Sequence, residues 1–324
     1  MPKTPKTLII ANPKSRNGES MAHIQTIFNY INHAYHPARQ ETAHMTTNEI
    51  ELYLTKAAKD AVSRAAHAAS YDTVVALGGD GIIHEVVNGL MRIRSKKARP
   101  KLGIIPVGSG NDYAKTLGIA PNDPEKSLRE VLVGTTRTLD LGKARGEYFM
   151  ETLSFGLDAA IAQDTMMRRK HTQKRDMQLY LESALDCFSQ HHEGYPFTAT
   201  LDDGTTLSGT SVIFACQVGQ TYGGGFKVCP DANPCDGLLN LCCTVVSPSV
   251  PRALFLLGRA RFGKHTKSPI VRMAAFKKLH VAFEDNSPGQ IDGEIFEGTD
   301  LDVEVVPQAL DVIVGQDFNA RYPV

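Results

Sequence analysis

The stretch Thr73-Val74-Val75-Ala76-Leu77-Gly78-Gly79-Asp80-Gly81 decides the fold of this chain. It begins with a short, β-branched apolar run of the kind found in a parallel strand covered on both faces. Three glycines follow, and the apolar spacing from Ile82 to Arg94 predicts a helix. Strand, glycine turn and helix in this order predict a phosphate site, because backbone N–H groups and the helix N-terminus both attract anions. Asp80 would repel phosphate unless a divalent cation lay between them, so it indicates Mg²⁺.

Two more segments repeat this layout. Lys101-Leu102-Gly103-Ile104-Ile105 reads as a strand, and it leads into the turn Pro106-Val107-Gly108-Ser109-Gly110-Asn111-Asp112. At the N-terminus, Thr7 to Ala11 reads as a strand and Asn12 to Gly18 as a polar loop before a helix near Ser20. Loops at the carboxyl ends of neighbouring parallel strands line one crevice. The sequence therefore predicts an α/β N-terminal domain with a parallel sheet and glycine-rich phosphate loops.

The remaining segments predict further helices and then a region dominated by strands. Thr46-Thr47-Asn48-Glu49 is a capping box that predicts an alanine-rich helix running to about Ala69, and Asp123-Pro124-Glu125 predicts another helix start. After about Leu139 strand-like runs dominate, so a β-rich (α+β) second domain is expected. These runs are 148–155, 197–201, 211–218 and 238–246, with helical stretches near 178–190 and 252–262.

The motifs of this chain, in their order and spacing, resemble the diacylglycerol kinase catalytic domain family. That family includes bacterial soluble diacylglycerol kinases, related lipid kinases and sphingosine kinases. The first half carries the resemblance in Asn12-Pro13 with Ser15, Gly78-Gly79-Asp80-Gly81 and Pro106-x-Gly-Ser-Gly-Asn-Asp112. The second half carries it in Asp140-Leu141-Gly142, Gly225-Phe226 through Pro230-Asp231-Ala232 to Asp236-Gly237, Gly-x-His265-x-x-x-Pro269, and Ile291-Asp292-Gly293-Glu294. Essentially the whole chain is covered.

The resemblance implies the architecture shared by NAD kinases and diacylglycerol kinases. The nucleotide-binding domain would comprise residues 1–139 plus 307–324, because the run Leu310 to Val314 resembles the family's last strand, and the lipid-substrate domain would comprise 140–306. The implied activity is Mg²⁺-dependent transfer of the γ-phosphate of ATP to the hydroxyl of a lipid such as diacylglycerol. A homodimer is expected by analogy with the bacterial members.

The resemblance also assigns roles to individual residues. Glu294 would be the catalytic base, with Asp80 and Asp112 at the catalytic Mg²⁺ and its water shell. The residues expected to bind the nucleotide are Asn12, Pro13, Lys14, Ser15, Thr46, Gly78, Gly79, Asp80, Gly81, Glu85, Gly108, Ser109, Gly110 and Asn111. A second, structural Mg²⁺ would lie on Asp236 and the backbone carbonyls of Asn233 and Leu238. From the residues alone, Asn111 and Asp112 could equally cap the following helix, and Asp292-Gly293 is also a hairpin signal.

The composition of the chain indicates which classes of partner it can bind. Lys plus Arg equals Asp plus Glu, 35 of each, so there is no global basic field of the kind that binds nucleic acid. Six cysteines without Cys-x-x-Cys pairing and without a preceding signal peptide predict reduced thiols and a cytoplasmic protein. Cys229 and Cys235 lie in the presumed metal loop, but the oxygens of Asp231, Asn233 and Asp236 suit Mg²⁺ better. No apolar run approaches the ~20 residues of a membrane span, and basic stretches at 92–101, 168–175 and 252–262 predict peripheral, salt-sensitive contact with anionic membrane.

Three alternatives to a lipid kinase share some of these sequence features. A soluble-substrate kinase of the NAD kinase type shares the Gly-Gly-Asp-Gly turn, but the Pro106 to Asp112 loop and Asp292-Gly293-Glu294 favour the lipid branch. A lipid-binding protein without turnover is suggested by Ile82, where the family usually has threonine, since that hydroxyl could donate a phosphate hydrogen bond of about 0.5 to 1.5 kcal/mol. A Rossmann oxidoreductase is disfavoured because no Gly-x-Gly-x-x-Gly follows the first strand.

Overall fold

The computed structural model describes residues 5–14, 20–34, 49–108, 110–120, 123–169, 179, 182–183, 186–188 and 193–323. The chain divides into two compact units, one made of Met1–Leu139 with Gln308–Val324 and the other of Asp140–Pro307. The chain leaves the first unit within strand β5 (Thr135–Ala144) and returns to it within strand β14 (Glu294–Val314).

A parallel sheet forms the centre of the first unit. Its strands are β1 (Lys6–Ala11), β2 (Glu49–Leu54), β3 (Thr73–Gly78) and β4 (Lys101–Pro106), in the order β2-β1-β3-β4. The end of β14 lies parallel to β4, with Val312 opposite Leu102. Strands β1, β3 and β4 are buried almost throughout, which explains their near-continuous apolar sequences. The predicted parallel sheet is confirmed.

Helices cover this sheet. They are α1 (Ser20–Ala34), α2 (Asp60–Ala66), α3 (Asp80–Met91), α4 (Asp112–Thr116), α5 (Pro124–Val133) and the short α8 (Phe318–Arg321). The predicted start of α5 is confirmed: the Asp123 carboxylate accepts the Lys126 N–H at 3.0 Å, and Pro124 occupies the first turn. Apolar residues of α1 and α5, among them Ile27 and Leu128, pack with Val75 and Ile105 of the strands in one core.

The helix predicted from Thr46 to about Ala69 is wrong. Residues Glu49–Leu54 form β2, which pairs in parallel with β1 from Lys6 opposite Glu49 to Ala11 opposite Leu54, and only Asp60–Ala66 is helical. Ile50 and Leu52 are partly buried, while Glu49 and Glu51 are exposed. This period of two is the mark of a half-buried strand, and pairing with β1 satisfies its backbone groups. Pairing with β1 therefore outweighs the local preference of this segment for a helix.

The second unit is built on antiparallel strands. They are β6 (Glu147–Phe149), β7 (Thr152–Gly156), β8 (Tyr195–Leu201), β9 (Thr206–Ser211), β10 (Ile213–Gln217), β11 (Leu239–Thr244), β12 (Val271–Phe276) and β13 (Lys278–Ile291), with parts of β5 and β14. The order β12-β11-β10-β7-β13-β14 runs across the sheet, and β8 with β9 extends from β13. Phe155, Phe197, Phe214 and Phe283 pack at tilted or edge-to-face angles in its core. The predicted β-rich domain is confirmed.

Two helices belong to the described part of the second unit, α6 (Leu157–Arg169) and α7 (Val250–Ala260). The helix predicted near 252–262 is confirmed by α7, and the one predicted near 178–190 falls largely outside the described residues. Within the described residues, no helix is both long and apolar enough to cross a membrane.

Candidate active site

The two glycine turns of the first unit interlock backbone against backbone. A Cβ built on Gly108 would lie 2.4 Å from the Cα of Gly79, and one on Gly79 would lie 3.1 Å from the Cα of Gly108. Gly78 pairs with Pro106 at the ends of β3 and β4, and the Val107 N–H donates to the Gly78 carbonyl at 3.0 Å. Side chains at either position would push the two turns apart. The glycines predicted to cradle phosphate are therefore also required by the contact between the loops.

Asp80 begins α3 and also serves the second turn. Its Oδ2 accepts the backbone N–H of Asp112 at 3.3 Å, and its Oδ1 accepts that of Tyr113 at 3.4 Å. These donors open α4, so Asp80 caps that helix from across the loop. A Cβ on Gly110 would lie 2.9 Å from Asp80 Oδ2 and 3.8 Å from Asp112 Oδ2. The structure thus brings the carboxylates of Asp80 and Asp112 to the same backbone position.

Asn111 and Asp112 play different parts in this turn. Asn111 has φ +51°, and its side-chain amide both accepts the Gly108 N–H at 2.9 Å and donates to the Gly108 carbonyl at 2.7 Å. It makes no side-chain cap on α4, so it braces the turn. Asp112 is buried, and its Oδ1 accepts from the Lys115 ammonium at 2.9 Å. The predicted cap at Asn111 is therefore not formed by its side chain, and Asp80 accepts the first two N–H groups of α4 instead.

The first loop and Glu85 lie at other points of the same unit. Asn12 Oδ1 accepts the Lys14 N–H at 2.9 Å, and the Ser20 hydroxyl donates to the Asn12 carbonyl at 3.0 Å, which closes the loop after β1. Glu85, expected at the nucleotide, accepts the N–H groups of Lys59 and Ala61 at 3.1 and 3.2 Å and so holds the start of α2. Ser15, Thr46 and Ser109 lie outside the described residues. Their contacts with nucleotide, like that of Glu85, stay predictions.

The Asp-Gly-Glu segment of the second unit is a hairpin turn between β13 and β14. Asp292 has φ +47° and Gly293 φ +91°, both left-handed, as a tight hairpin requires. The Asp292 side chain is buried, and its carboxylate accepts the N–H groups of Met150, Glu151 and Thr152 at 3.0, 3.1 and 3.0 Å. Three charge-assisted hydrogen bonds fix this turn on the β6–β7 connection. Glu294 follows it on β14 with an exposed side chain. The hairpin reading and a catalytic reading of this motif are therefore compatible.

A buried polar chain supports the same hairpin from beneath. The Gly293 N–H donates to the Gln290 side-chain oxygen at 2.7 Å, and the Gln290 amide donates to the Ser154 hydroxyl at 2.6 Å. Ser154 in turn donates to Asp158 on α6, which also accepts from the Tyr222 hydroxyl at 2.8 Å. Burial raises the pKa of Asp158 above its usual range, against the opposing effect of those hydrogen bonds. The turn is thus linked through the Gln290 and Ser154 side chains to a carboxyl group on α6.

Comparison with known proteins identifies what these features share. A family model described as the diacylglycerol kinase catalytic domain matches residues 6–144, and one described as the YegS C-terminal NAD kinase β-sandwich-like domain matches residues 151–314. The chain belongs to the family that joins these two domains. The relatives of this chain in that family include a diacylglycerol kinase of Staphylococcus aureus, 29% identical over 256 residues that cover 76% of each chain. Membership supports a kinase function.

The fold of this chain is also similar to those of solved structures. A diacylglycerol kinase from Bacillus anthracis is 23% identical, with a TM-score of 0.74 over 98% of this chain and 99% of that one. An NAD kinase from Archaeoglobus fulgidus in complex with ATP is 12% identical, with a TM-score of 0.53 over 97% of this chain and 95% of that one. The predicted architecture, shared by diacylglycerol kinases and NAD kinases, is confirmed.

The one departure from the family's loop motif falls at a buried position. Ile82 stands where the family usually has threonine, in the first turn of α3, and its side chain is only 6% exposed. An isoleucine there adds apolar packing and removes a hydroxyl, while the backbone N–H groups of the turn are unchanged. The exchange therefore leaves the backbone of the predicted phosphate turn in place.

The family's structural metal segment forms a tight turn rich in oxygen. Asn233 Oδ1 accepts the Cys235 N–H at 3.0 Å, Asp236 Oδ1 accepts the Leu238 N–H at 2.9 Å, and Asp140 Oδ2 accepts the Gly237 N–H at 2.7 Å. Partial burial, and after it the charge of nearby Asp140, raises the pKa of Asp236. Two carboxylates close together, with backbone carbonyls, make a donor set that suits a hard divalent cation.

Soft-metal binding has no support in the part of the chain that the structure describes. There, no three His, Cys, Asp or Glu side chains cluster as metal ligands. Cys229 is buried with its Sγ 3.5 Å from the Asn240 carbonyl, Cys235 is exposed, and all six cysteines are free thiols. Any cation in the 233–238 turn therefore needs backbone oxygens, as the resemblance implied.

The structure brings two further residues to these sites that the sequence motifs do not indicate. Thr55 follows β2 at the edge where the other loops open, its N–H donating to the Ala11 carbonyl at 2.9 Å. The alternation of charged and apolar residues from Glu49 to Leu54 would have identified β2. The threonine that follows this strand is Thr55, whereas the nucleotide contact was predicted at Thr46. The second such residue is Asp158. No sequence pattern indicates that this residue of α6 is linked through Ser154 to Gln290.

Proposed function

We propose that this protein is a Mg²⁺-dependent phosphotransferase that moves the γ-phosphate of ATP to the hydroxyl of a lipid such as diacylglycerol. The observation that carries the proposal is the pair of carboxylates, Asp80 and Asp112, set against the interlocked turns at Gly79 and Gly108. Carboxylates beside a phosphate cradle require a cation between them. That combination serves transfer of a phosphoryl group better than storage of a nucleotide.

In this proposal the first unit binds the nucleotide. Backbone N–H groups of the two glycine turns and the start of α3 would hold the phosphates, and Asp80 and Asp112 would hold Mg²⁺ through its waters. Bound Mg²⁺ offsets the charge of the transferring phosphoryl group. Because Asp80 also caps α4, the residue that binds the metal sets the conformation of the second turn. Metal binding and loop geometry would then depend on one side chain.

Glu294 is the proposed base that accepts the proton of the lipid hydroxyl. Support comes from its place in the Asp-Gly-Glu motif and from the rigidity of the turn before it, where Asp292 accepts three backbone N–H groups. A base on a rigid turn keeps its geometry through turnover. The proposed structural cation lies on Asp236 and the carbonyls of Asn233 and Leu238, with Asp140 bracing the loop.

The deciding experiment is transfer of labelled γ-phosphate from ATP to a panel of lipids and to NAD in mixed micelles, with and without EDTA. Native protein is compared with Asp80→Asn, Glu294→Ala and the matched control Glu297→Ala, an exposed glutamate on the same strand. We expect native protein and the Glu297→Ala control to label a lipid. EDTA should abolish this labelling, and neither Asp80→Asn nor Glu294→Ala should show it. Labelling of a lipid that Glu294→Ala leaves unchanged would remove Glu294 from the mechanism.

A second candidate is a soluble-substrate kinase of the NAD kinase type, because the fold also matches an NAD kinase solved with ATP. Labelled NAD in place of lipid would establish it. If ATP binds and nothing is labelled, the protein keeps the fold without turnover, and Ile82→Thr is then the variant to assay. A cytoplasmic location, peripheral contact with membrane and a homodimer remain proposals that accompany the lipid kinase.

A further inference from the structure

Helix α7 presents an apolar face that the protein itself does not bury. The side chains of Leu254, Phe255 and Phe262 are 52%, 62% and 70% exposed, and those of Val250 and Leu257 are also exposed. Within α7, Ala260 is buried and Leu256 packs against the core cluster around Val228 and Ile270. Large apolar side chains gathered on one exposed face mark an interaction surface.

The sequence segment that contains this face carries charge of one sign. Between Asp236 and Glu284 the sequence holds no Asp or Glu, although the whole chain has equal numbers of acids and bases. The same interval contains eight basic residues: Arg252, Arg259, Arg261, Lys264, Lys267, Arg272, Lys277 and Lys278. A face with this charge attracts an anionic partner.

The basic residues beside α7 are arranged around the apolar ones. The Arg259 guanidinium lies 5.6 Å from the centre of the Phe255 ring, and its Nε donates to the Lys264 carbonyl at 2.9 Å. Arg261 donates to the Gly224 carbonyl at 3.1 Å and lies 5.8 Å from the Phe226 ring. Apolar side chains between fixed cations suit a helix that lies in the interface of a bilayer, with its apolar face among the acyl chains.

We infer that α7 and the turn after it, residues 250–268, form the surface by which this protein docks on an anionic lipid bilayer. A second copy of the chain fits less well, because a symmetric contact through this face would oppose like charges. The inference deepens the proposed lipid kinase by naming the surface through which it would reach its substrate. It concerns binding alone, so it can fail or hold independently of catalysis.

The chain contains no tryptophan, so a single introduced tryptophan reports on one place. Phe255→Trp and Phe262→Trp are mixed, without nucleotide, with phosphatidylcholine vesicles that contain or lack phosphatidylglycerol. We expect a shift of emission to shorter wavelength and quenching by bromine-labelled acyl chains only with the anionic vesicles. Val133→Trp, at a position 87% exposed in the first unit, is the control and should show neither change.

Charge variants test the second half of the inference. Arg252→Gln with Lys267→Gln should lower binding to anionic vesicles about 25-fold, since each nearby charge contributes about 1 kcal/mol, which is about five-fold. Lys97→Gln, in another basic stretch, is the matched control and should change little. Phe255→Ser with Phe262→Ser should reduce transfer to lipid in vesicles while leaving transfer to a monomeric short-chain lipid unchanged.

Two results would overturn the inference. The first is an unchanged tryptophan spectrum at positions 255 and 262 in the presence of vesicles that native protein binds, which would place the docking surface elsewhere. The second is a concentration-dependent shift at these positions without vesicles, together with a dimer in sedimentation, which would assign the face to a second copy. Failure of the lipid kinase assay would touch neither vesicle measurement.

Discussion

The carboxylate of Asp292 offers the sharpest test of how the second unit holds its hairpin. It accepts three buried backbone N–H groups, at 3.0 Å from Met150, 3.1 Å from Glu151 and 3.0 Å from Thr152. Asp292→Ala would leave these donors without that acceptor, at about 1 to 3 kcal/mol each. Water entering the space would reduce the sum, so we expect a loss of about 3 to 5 kcal/mol. A domain is typically stable by only about 5 to 15 kcal/mol.

The isosteric variant separates charge from shape. In the structure, Oδ1 accepts from Glu151 and Thr152, whereas Oδ2 accepts from Met150. Asp292→Asn can keep the two bonds to Oδ1, but it turns an NH₂ group toward the Met150 N–H. We therefore expect a smaller loss of about 1.5 to 3 kcal/mol, so that stability falls in the order native, Asn, Ala.

Hydrogen exchange of the amides of residues 150–152, read beside urea unfolding, measures this effect directly. A loss of 3 kcal/mol corresponds to exchange about 150-fold faster, since 1.36 kcal/mol is ten-fold. Asp285→Asn, on an exposed residue of the same strand, is the control and should leave protection unchanged. Protection of these amides within about two-fold of native in both Asp292 variants would refute the account of the turn.

Three further outcomes are expected. Gly108→Ala should weaken ATP binding and destabilise the first unit by about 1 to 3 kcal/mol, because its Cβ would lie 2.4 Å from the Gly79 Cα. Gly81→Ala is the control and should be tolerated, because a Cβ there would meet open space. Equal unfolding midpoints for the two variants would contradict this account. Because burial raises the pKa of Asp158, the folded state binds more protons and this group's contribution to stability falls as pH rises through the raised pKa. The stability of Asp158→Asn should therefore increase relative to that of native protein as pH rises above about 4, the ordinary pKa of an aspartate, and a stability difference independent of pH would count against this. Burial lowers the pKa of His265, so native protein should lose stability relative to His265→Gln as pH falls below about 6.5, and parallel pH curves for the two would show that His265 does not titrate in this range.

The sequence alone determined the elements whose signals are local. The apolar run Thr73 to Leu77 and the glycines after it specified a buried strand and a phosphate turn, because burial on both faces and close backbone approach each require particular residue types. Asp123-Pro124 specified the start of α5 for the same reason, since capping involves neighbours in the chain. The family, and the order of an α/β unit before a β-rich one, followed from motifs read in this way.

Tertiary structure decided whatever depends on groups distant in the chain. Residues 49–54 became a strand because β1 was available to pair with them, which overrode the capping signal at Thr46. Asp80 caps a helix that begins at Asp112, and Asp292 binds the backbone at 150–152. The exposed face of α7 exists because the helix packs its opposite face, with Leu256 and the buried Ala260, against the second unit. Hydrogen bonding and burial act through space, so spacing along the chain could not specify these partners.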